Sequence, residues 1–429
     1  MLDIQLVRDD KDAVAAGLAK RMERAEAETA LSEILSLDEQ RRALIAEVDR
    51  ERHRRKQEAE RFAAAKRAGR EVPRPVDGDA SKQALAELEG KLRGIESELQ
   101  DLMAGLPNLP ADDVVAGGKE ANRVVKEWGE QPTLEKVRDH VELATALDLV
   151  DFERGVKLGG SGFWIYTGMG ARLEWALVNW FVQRHVDASY HFMLPPHLLL
   201  HSAGFASGQF PKFYDDVYHL ARDESKEGHF LLPTAETAIL GAFQNESLAV
   251  ADLPLKVFAY TPCYRREKAG THSDERGTVR GHQFNKVEIF QLVAEDSAAD
   301  ALDEMVAHAE SLVEGLGLHY RTSLLAAKDA GAAMRKTLDV EVWMPSAGKY
   351  KEVSSVSWAG DYQARRARIR FKEKGGKPRF VHTLNGSALA TSRIFPAILE
   401  QFQEPDGSVR VPEVLRDAVG TDRIATVGS

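Results

Sequence analysis

In this sequence of 429 residues, charged residues that could bind a ligand are most concentrated between positions 261 and 290. This segment reads TPCYRREKAGTHSDERGTVRGHQFNKVEIF. Four arginines and two nearby acids belong to it: Arg265, Arg266, Arg276, Arg280, Glu267 and Glu288. Guanidinium groups stay charged and bind phosphate oxygens in pairs, so this cluster suits a polyphosphate. A carboxylate beside them can hold an amine or the edge of a base. Taken alone, the segment also fits an exposed hairpin with charged sides.

The segments around this cluster read as alternating strands and helices. KVFAYTPCYRRE, NKVEIFQLV, DVEVWMP and RIRFKEK are rich in Val, Ile, Phe and Tyr and are typical of strands. DSAADALDEMVAHAESLVEGLG is typical of a helix that ends at glycine. We expect the last ten residues, from Gly420, to form a frayed tail. The cluster is therefore expected on a strand, a polar loop and a second strand.

The N-terminal quarter has a different pattern, which predicts two long helices. Its second half carries apolar residues at strict 3-4 spacing: Leu85, Leu88, Leu92, Ile95, Leu99 and Leu102. The first half is less regular, with charged residues at some seam positions between the apolar ones: Ile34, Leu37, Leu44, Val48, Ala59 and Phe62. GREVPRPVDGDAS, residues 69–81, breaks the helix and supplies a turn. We predict an antiparallel coiled coil over about 28–105, with helices of about 35 residues or roughly 50 Å, followed by the linker LPNLPADD.

Charge is distributed unevenly over the two parts. The net charge of −10 argues weakly against general nucleic-acid binding. From Arg50 to Arg74, however, ten Lys and Arg face only four acids. Such a stretch can neutralise nucleic-acid phosphates, although a solvated helix face is the usual alternative. The arm alone also fits a plain dimerisation or spacer coiled coil.

Composition excludes several other classes. Cys263 is the single cysteine, so no internal disulfide forms, and no Cys/His cluster indicates structural zinc. The N-terminus MLDIQLVRDD lacks the apolar core of a signal peptide, and no uncharged apolar run suits a membrane span. We expect a cytoplasmic protein with no zinc and no membrane association.

Taken together, these segments resemble the seryl-tRNA synthetases, a family of class II aminoacyl-tRNA synthetases. Residues 261–290 are similar to motif 2, with the pattern TPCFRSEAG followed by RGLIRxHQFxKVE. Other segments agree in order with the family: DFERGVKLGGSGFWIYTGMGARLEWAL (151–177) with motif 1, GQFPKF (208–213), LLPTAET (231–237), DVEVWMPSAGKYKEVSS (339–355) and FVHTLNGSALATSRIFPAILE (380–400) with motif 3. The N-terminal arm resembles the tRNA-binding coiled coil of the family, so the resemblance covers nearly the whole chain.

The resemblance implies a fold class and a reaction. The fold is α+β: an antiparallel class II sheet flanked by helices, with an N-terminal antiparallel two-helix coiled-coil arm. The expected domains are a tRNA-binding arm over 1–112 and a catalytic domain over 113–429, with motif 1 at about 170–196, motif 2 at about 257–290 and motif 3 at about 380–400. The implied activity is ATP-dependent activation of L-serine and its transfer to tRNA(Ser), and also to tRNA(Sec), by a homodimer that uses Mg²⁺.

It also implies individual roles. Arg265 is expected at the α-phosphate of ATP and Arg393 at the γ-phosphate, as the catalytic residues. The ATP-binding set is Arg265, Arg266, Glu267, Phe284, Glu352, Val353, Ser354, Ser355 and Arg393, with Glu352 and Ser355 as Mg²⁺ ligands. The serine-binding set is Thr234, Ala235, Glu236, Arg265, Glu288, Asn385 and Ser387. The tRNA-binding set is Arg52, Arg54, Arg55, Lys56, Arg61, Lys66 and Arg67.

Several positions depart from the family pattern near the expected site. Arg266 replaces a serine, Val356 and Trp358 stand where Cys and Asn are common, and SALATSR replaces SGLAVGR, so that Ala388 and Ser392 stand for glycines. The motif 2 loop KAGTHSDERG also differs. Neutral drift is one explanation. The alternative is a specialised second copy, for resistance to an antibiotic that mimics seryl-adenylate or for supplying seryl-tRNA to a biosynthetic pathway. An amino acid:carrier-protein ligase and a catalytically inactive RNA-binding module are further alternatives.

Overall fold

A computed structural model describes residues 1–69, 78–221, 226–267 and 276–426 of the chain. These residues separate into two compact units, Leu2–Pro107 and Asn108–Ser429 together with Met1. Within the described ranges, no helix combines the length and the apolar character needed to cross a bilayer.

The N-terminal unit is helical and contains the expected two-helix arm. Its helices are α1 (Ile4–Asp9), α2 (Lys11–Leu18), α3 (Arg24–Arg67) and α4 (Gly78–Gly105). Helix α3 has 44 residues, which is longer than the expected 35. It runs antiparallel to α4, because Leu44 faces Ile95 across one groove while Arg52 pairs with Glu89 at 2.8 Å. The turn expected at 69–81 lies largely outside the described residues.

The seam between α3 and α4 follows the leucine stripe of α4 as expected, but one assignment on α3 is wrong. Ala59 is exposed, whereas Glu51, Arg55, Glu58 and Phe62 are partly buried. These four positions continue the 3-4 spacing from Val48. The long stems of charged residues can cover apolar surface while their charged ends remain in water. The outer seam therefore runs through charged side chains, as expected for this less regular half of the arm.

A buried carboxylate links helices α1 and α3 at the base of the arm. Asp38 of α3 is fully buried and accepts hydrogen bonds from Arg8 of α1 at 2.6 and 2.7 Å, and from Arg41 and Arg42 of its own helix. Burial acts to raise the pKa of Asp38, but the hydrogen bonds and charges of Arg8 and Arg41 outweigh it and lower that pKa to about 2. An ionised Asp38 therefore fastens the short first helix to the long one.

The C-terminal unit surrounds a large sheet. Its helices are α5 (His140–Ala146), α6 (Phe152–Gly159), α7 (Gly168–Asp187), α8 (His201–Ser207), α9 (Ala235–Ala242), α10 (Ala298–Gly315), α11 (Tyr362–Ala367), α12 (Thr391–Gln401) and α13 (Arg416–Val419). Its strands are β1 (Arg123–Trp128), β2 (Val150–Asp151), β3 (Ile165–Tyr166), β4 (His191–Met193), β5 (Leu198–Leu200), β6 (His229–Leu231), β7 (Ser247–Ala249), β8 (Leu255–Tyr264), β9 (Gln283–Val293), β10 (Tyr320–Leu324), β11 (Lys336–Met344), β12 (Lys349–Gly360), β13 (Arg370–Lys372), β14 (Arg379–Phe380), β15 (His382–Ala390), β16 (Val409–Arg410) and β17 (Arg423–Ile424).

Among the described residues, eight strands form the main sheet in the order β1-β10-β11-β12-β15-β9-β8-β4. All neighbours are antiparallel except β4, which lies parallel to β8 at one edge. Successive residues of β9 enter different cores: Ile289 packs with α7, α10 and α12, and Phe290 packs with α9 and α11. Helices therefore cover both faces, as the class II fold predicts.

The end of the chain differs from the expected frayed tail. Strand β17 pairs with β16, and Ile424 is buried in the main core. The expectation of fraying from Gly420 is wrong as far as residue 426, because a short apolar segment gains both a strand partner and core contacts. Residues 427–429 lie outside the described part of the chain.

Candidate active site

A polar cavity opens where β8, β9, β12 and β15 meet the start of α12. Seven of the expected site residues line it: Arg265, Glu267, Phe284, Glu352, Val353, Ser387 and Arg393. Val279, Arg280, Gly281, Lys286, Ala390 and Ser392 complete the lining. Segments separated by more than a hundred positions in the chain thus contribute to one polar cavity.

Both candidate catalytic arginines lie close to the carboxylate of Glu352. Arg393 Nη1 lies 3.2 Å from Glu352 Oε1 and donates to the Glu352 carbonyl at 2.9 Å. Burial acts to raise the pKa of Glu352, but the charges of Arg393 and then Arg265 outweigh it, so that this pKa is below its ordinary value. The cavity therefore holds two guanidinium groups and an ionised acid, a suitable arrangement for a triphosphate and a cation.

The side chain of Arg265 is held by its surroundings. Its Nε donates to the Pro233 carbonyl at 3.3 Å, and its guanidinium lies 5.2 Å from the centre of the Phe284 ring. His282 hydrogen-bonds to the Arg265 carbonyl at 2.9 Å through Nδ1, which must be the donor. His282 thus orients the strand end that carries Arg265. The Phe284 ring remains available at the cavity wall for stacking on a base.

Glu267 is paired with an arginine to which sequence analysis gave no individual role. Arg280 lies 2.6 Å from the Glu267 carboxylate, and both residues line the cavity. The loop residues between them, 268–275, lie outside the described part of the chain, and so does most of the divergent KAGTHSDERG segment.

The expected cation ligands lie beside a third oxygen donor. Ser355 pairs with Asp339 across β12 and β11, and its side chain hydrogen-bonds to the Asp339 carboxyl. Burial and then the charge of Glu352 raise the pKa of Asp339 well above its ordinary range. Asp339 Oδ1 is buried with no hydrogen-bond partner among the described residues. Hard oxygen donors of this kind fit Mg²⁺, although in the described ranges no group of three or more His, Cys, Asp or Glu forms a metal site by itself.

Three of the expected serine-binding residues surround a lysine that sequence analysis missed. Lys286 Nζ donates to Thr234 Oγ1 at 2.7 Å and lies 2.6 Å from Glu288 Oε2. Ser387 Oγ lies 3.4 Å from the same Glu288 oxygen. Phe284, Lys286 and Glu288 alternate along β9, so their side chains share one face. This period of two was the signal that could have identified Lys286.

The remaining serine-binding candidates form a buried layer beside this group. Ala235 begins α9 and is fully buried. Glu236 accepts a hydrogen bond from Gln363 and is hydrogen-bonded to Asn385. Burial, followed by the charge of Glu288, raises the pKa of Glu236 to about 7. Gln363 lies more than a hundred residues from Glu236 in the chain, and no local pattern indicated its contribution.

Three expected ATP-binding residues, Arg266, Ser354 and Ser355, are not among the residues that line the cavity. Arg266 is exposed, and its backbone N–H donates to the Asp216 carbonyl at 2.8 Å. Ser354 is fully buried and donates to the Ser387 carbonyl. Arg266 is thus outside the cavity although its chain neighbour Arg265 lines it, and Ser354 is outside although its neighbour Val353 lines it.

Four of the positions that depart from the family pattern, Ala388, Ser392, Trp358 and Val356, are packed against neighbouring residues. The Ala388 carbonyl accepts a hydrogen bond from buried His185 at 2.7 Å, and the Ser392 carbonyl accepts one from Thr278 at 3.2 Å. Trp358 donates to His382 at 3.3 Å beneath the guanidinium of Arg335. Val356 is fully buried in the main core, and Cys263, which matches the family pattern, is fully buried in a smaller one. The substitutions are accommodated, but nothing in the structure explains why they occur.

The candidate tRNA-binding residues lie on α3 of the N-terminal unit. Arg55 is partly buried at the seam, and the rest of the set is exposed: Arg52, Arg54, Lys56, Arg61, Lys66 and Arg67. Arg52 and Arg54 form ion pairs with Glu89 and Glu51. Arg70 and Arg74, which complete the basic stretch, lie outside the described residues.

Family models match both units. The tRNA synthetase class II core domain (G, H, P, S and T) matches residues 218–402, and the seryl-tRNA synthetase N-terminal domain matches residues 1–110. A crystal structure of seryl-tRNA synthetase from Pyrococcus horikoshii complexed with ATP superposes with a TM-score of 0.89 at 32% identity, covering 100% of both chains. Fold and site therefore define a class II aminoacyl-tRNA synthetase.

Curated relatives specify the family. Serine–tRNA ligase 2 of Clostridium acetobutylicum is 48% identical over 99% of this chain and 100% of its own length. Serine–tRNA ligase of Geobacter sulfurreducens is 41% identical over 98% of this chain and 99% of its own. The chain belongs to the serine–tRNA ligases. The full-length matches do not favour the carrier-protein ligase or the specialised second copy.

Proposed function

We propose that the cavity activates L-serine with ATP and that the arm presents tRNA(Ser), and also tRNA(Sec), for aminoacylation. The observation that carries this proposal is the convergence of Arg265, Arg393 and Glu352 on one cavity. The buried group of Thr234, Glu288 and Ser387 adjoins it through Lys286. One end of the site suits phosphates, and the other suits an amino acid.

In the first step, a carboxylate oxygen of serine attacks the α-phosphorus of ATP. A new P–O bond forms, the bond to the β-phosphate breaks, and pyrophosphate leaves with the bonding electrons. Arg265 stabilises the charge on the α-phosphate, and Arg393 holds the γ-phosphate. Phe284 stacks on the adenine, and Glu267 contacts the nucleotide. Glu352 and Ser355 hold Mg²⁺, which supplies charge neutralisation on the phosphates when it is bound.

In the second step, the terminal ribose 3′-hydroxyl of tRNA attacks the carbonyl carbon of seryl-adenylate. The ester bond to tRNA forms, the mixed-anhydride bond breaks, and AMP leaves. A phosphate oxygen of the adenylate takes the hydroxyl proton. The chain contributes position here, since Arg265 holds the phosphate close to the incoming hydroxyl.

Serine is selected by its amine and its hydroxyl. Thr234, Glu236 and Glu288 bind the ammonium group, with Asn385 bonded to Glu236, and Ser387 accepts or donates at the hydroxyl. A buried site that hydrogen-bonds a hydroxyl rejects alanine strongly, because its polar groups would otherwise remain unpaired. Threonine is excluded by the size of the pocket.

The protein acts as a homodimer through the region of motif 1. Exposed apolar side chains occur there on α7, on the edge strand β4 and on the segment that follows: Trp175, Phe192, Leu194, Leu198 and Leu200. Among the described residues β4 has only β8 as a sheet neighbour, and an exposed apolar sheet edge is a surface that a second chain can cover. The reaction takes place in the cytoplasm, where its substrates tRNA and ATP are available.

The test separates the two steps. Purified chain is assayed for ATP–pyrophosphate exchange with each of the twenty amino acids, and for serine transfer to tRNA(Ser) and tRNA(Sec). We expect exchange with serine alone and loss of exchange when Mg²⁺ is chelated. A triple variant, Lys56→Glu, Arg61→Glu and Lys66→Glu, should retain exchange and lose most tRNA charging, because the reversed charges repel phosphates. Exchange with another amino acid would contradict the proposal.

A further inference from the structure

A buried ammonium group already occupies the proposed amine-binding position. Lys286 is only 5% exposed. Its Nζ is held by a hydroxyl, Thr234 Oγ1 at 2.7 Å, and by a carboxylate, Glu288 Oε2 at 2.6 Å. A primary ammonium has three donors and no acceptor. Thr234 and Glu288 thus satisfy, in this structure, the same chemical group that the substrate carries.

We propose that Lys286 is an internal substitute for the substrate ammonium, which holds Thr234 and Glu288 in the serine-free enzyme and is displaced when serine binds. This inference rests on the proposed function, because it takes the amine of serine as the group that Thr234 and Glu288 receive. It makes Lys286 a residue that sets serine affinity, although none of its atoms needs to react.

Charge explains why both ammonium groups cannot remain together. Two cations on one buried carboxylate repel each other and leave one charge without compensation. The charged groups that face the position are Glu288, Lys286, Glu236 behind them and Arg265, which directly follows β8. Arg265 adds a further positive charge, so the negative charges of the cluster do not outnumber its positive charges. A second ammonium group beside Lys286 would therefore bind weakly.

Displacement is feasible because Lys286 also lines the open cavity. Its four-carbon stem is flexible, and the cavity wall contains two acids, Glu267 and Glu352, toward which the ammonium can turn. Serine must break the Lys286 contacts in order to bind. The Michaelis constant for serine is therefore higher than it would be if no ammonium group occupied the amine-binding position. Because Lys286 is their partner when serine is absent, Thr234 and Glu288 are never buried and unpaired.

The experiment compares serine-dependent ATP–pyrophosphate exchange in the full-length wild type, in Lys286→Met and in the control Lys256→Met. Lys256 lies on the neighbouring strand β8 and pairs with Glu304 outside the cavity. We expect the Michaelis constant for serine to fall by about tenfold in Lys286→Met, because the substrate then finds an unpaired carboxylate. The constant for ATP should change much less than the constant for serine in Lys286→Met, and both constants should match the wild type in Lys256→Met.

Crystal structures of the wild type with and without serine give a measurement that does not depend on the folding of a variant. With serine bound, Lys286 Nζ should lie beyond hydrogen-bond distance of Thr234 Oγ1. Retention of both Lys286 contacts beside bound serine would overturn the inference, and so would an unchanged or raised serine constant in folded Lys286→Met. Absence of serine-dependent exchange in the wild type would instead count against the proposed function itself.

Discussion

Arg265 and Arg393 act on one carboxylate, Glu352, although Arg265 follows strand β8 and Arg393 lies in helix α12. The types and spacing of Arg265 and its neighbouring arginines predicted phosphate chemistry, and the family resemblance implied the roles of Arg393 and Glu352. What sequence could not supply was the pairing of each group: Arg280 with Glu267, Lys286 with Glu288, and Gln363 with Glu236. Such contacts depend on the register between strands and on helices that approach from distant segments, so no local pattern encodes them.

Replacement of Arg265 tests the phosphate role. Arg265→Ala should lower the rate of serine-dependent exchange by about 10²–10³-fold, as loss of one preorganised donor to a developing charge does. Arg379→Ala, an exposed arginine that pairs with Glu295, serves as the control and should leave exchange unchanged. Arg266→Ala should have a smaller effect than Arg265→Ala, since Arg266 is exposed. Equal losses in the Arg265 and Arg266 variants would contradict this assignment.

Glu236 should make serine binding depend on pH. Burial and then Glu288 raise the pKa of Glu236 to about 7, so the carboxyl gains its charge as pH rises through that value. The ionised form attracts the substrate ammonium, and the Michaelis constant for serine should therefore fall between pH 6 and 8. Steady-state exchange at fixed ATP measures the profile. Glu236→Gln should flatten it and raise the constant, whereas a wild-type constant that is independent of pH would exclude this role.

At the scale of elements, apolar periodicity predicted helix α4 and the sheet strands well. The leucine stripe of α4 is its less exposed face, and β9 and β11 have the predicted strand character. The periodicity failed on the outer part of α3, where charged side chains lie on the seam and Ala59 does not. The separate expectation of a frayed tail failed at β17, whose burial comes from a partner strand and from distant core residues. Both failures arise because contacts with a neighbouring element decide burial.

The buried Asp38 should contribute to the stability of the arm base in a pH-dependent way. Its pKa falls from 3.8 to about 2 on folding, so the contribution is present above pH 4 and is lost as pH falls from about 4 toward 2. Asp38→Asn should lower the free energy of unfolding at pH 7 by about 1–2 kcal/mol, allowing for solvent around the arginines. Urea titrations of the wild type and the variant measure this difference in the free energy of unfolding. Asp49→Asn, an exposed acid of the same helix, is the control; an equal loss there would refute the assignment.

At the scale of the molecule, the two edges of the main sheet differ in character. Strand β4 continues into Leu194, which is 72% exposed, whereas β1 at the opposite edge carries Val125 at 48%. If the β4 edge and α7 form the dimer surface, Leu194→Asp should shift the protein to a monomer in multi-angle light scattering. Val125→Asp should leave the mass unchanged. A monomeric wild type, or dissociation by Val125→Asp alone, would contradict the proposed interface.

The uneven seam of α3 has a mechanical consequence. The buried residues of this 44-residue helix lie between Ala27 and Val48, so nearly half of its length lacks a fully buried side chain. Local opening costs least where few apolar groups are buried. Backbone amides of residues 50–67 should accordingly exchange with deuterium faster than those of residues 27–48. The arm would then be rigid over residues 27–48 of α3 and more flexible over residues 50–67. This flexibility would let the basic end adjust to tRNAs whose backbones curve differently.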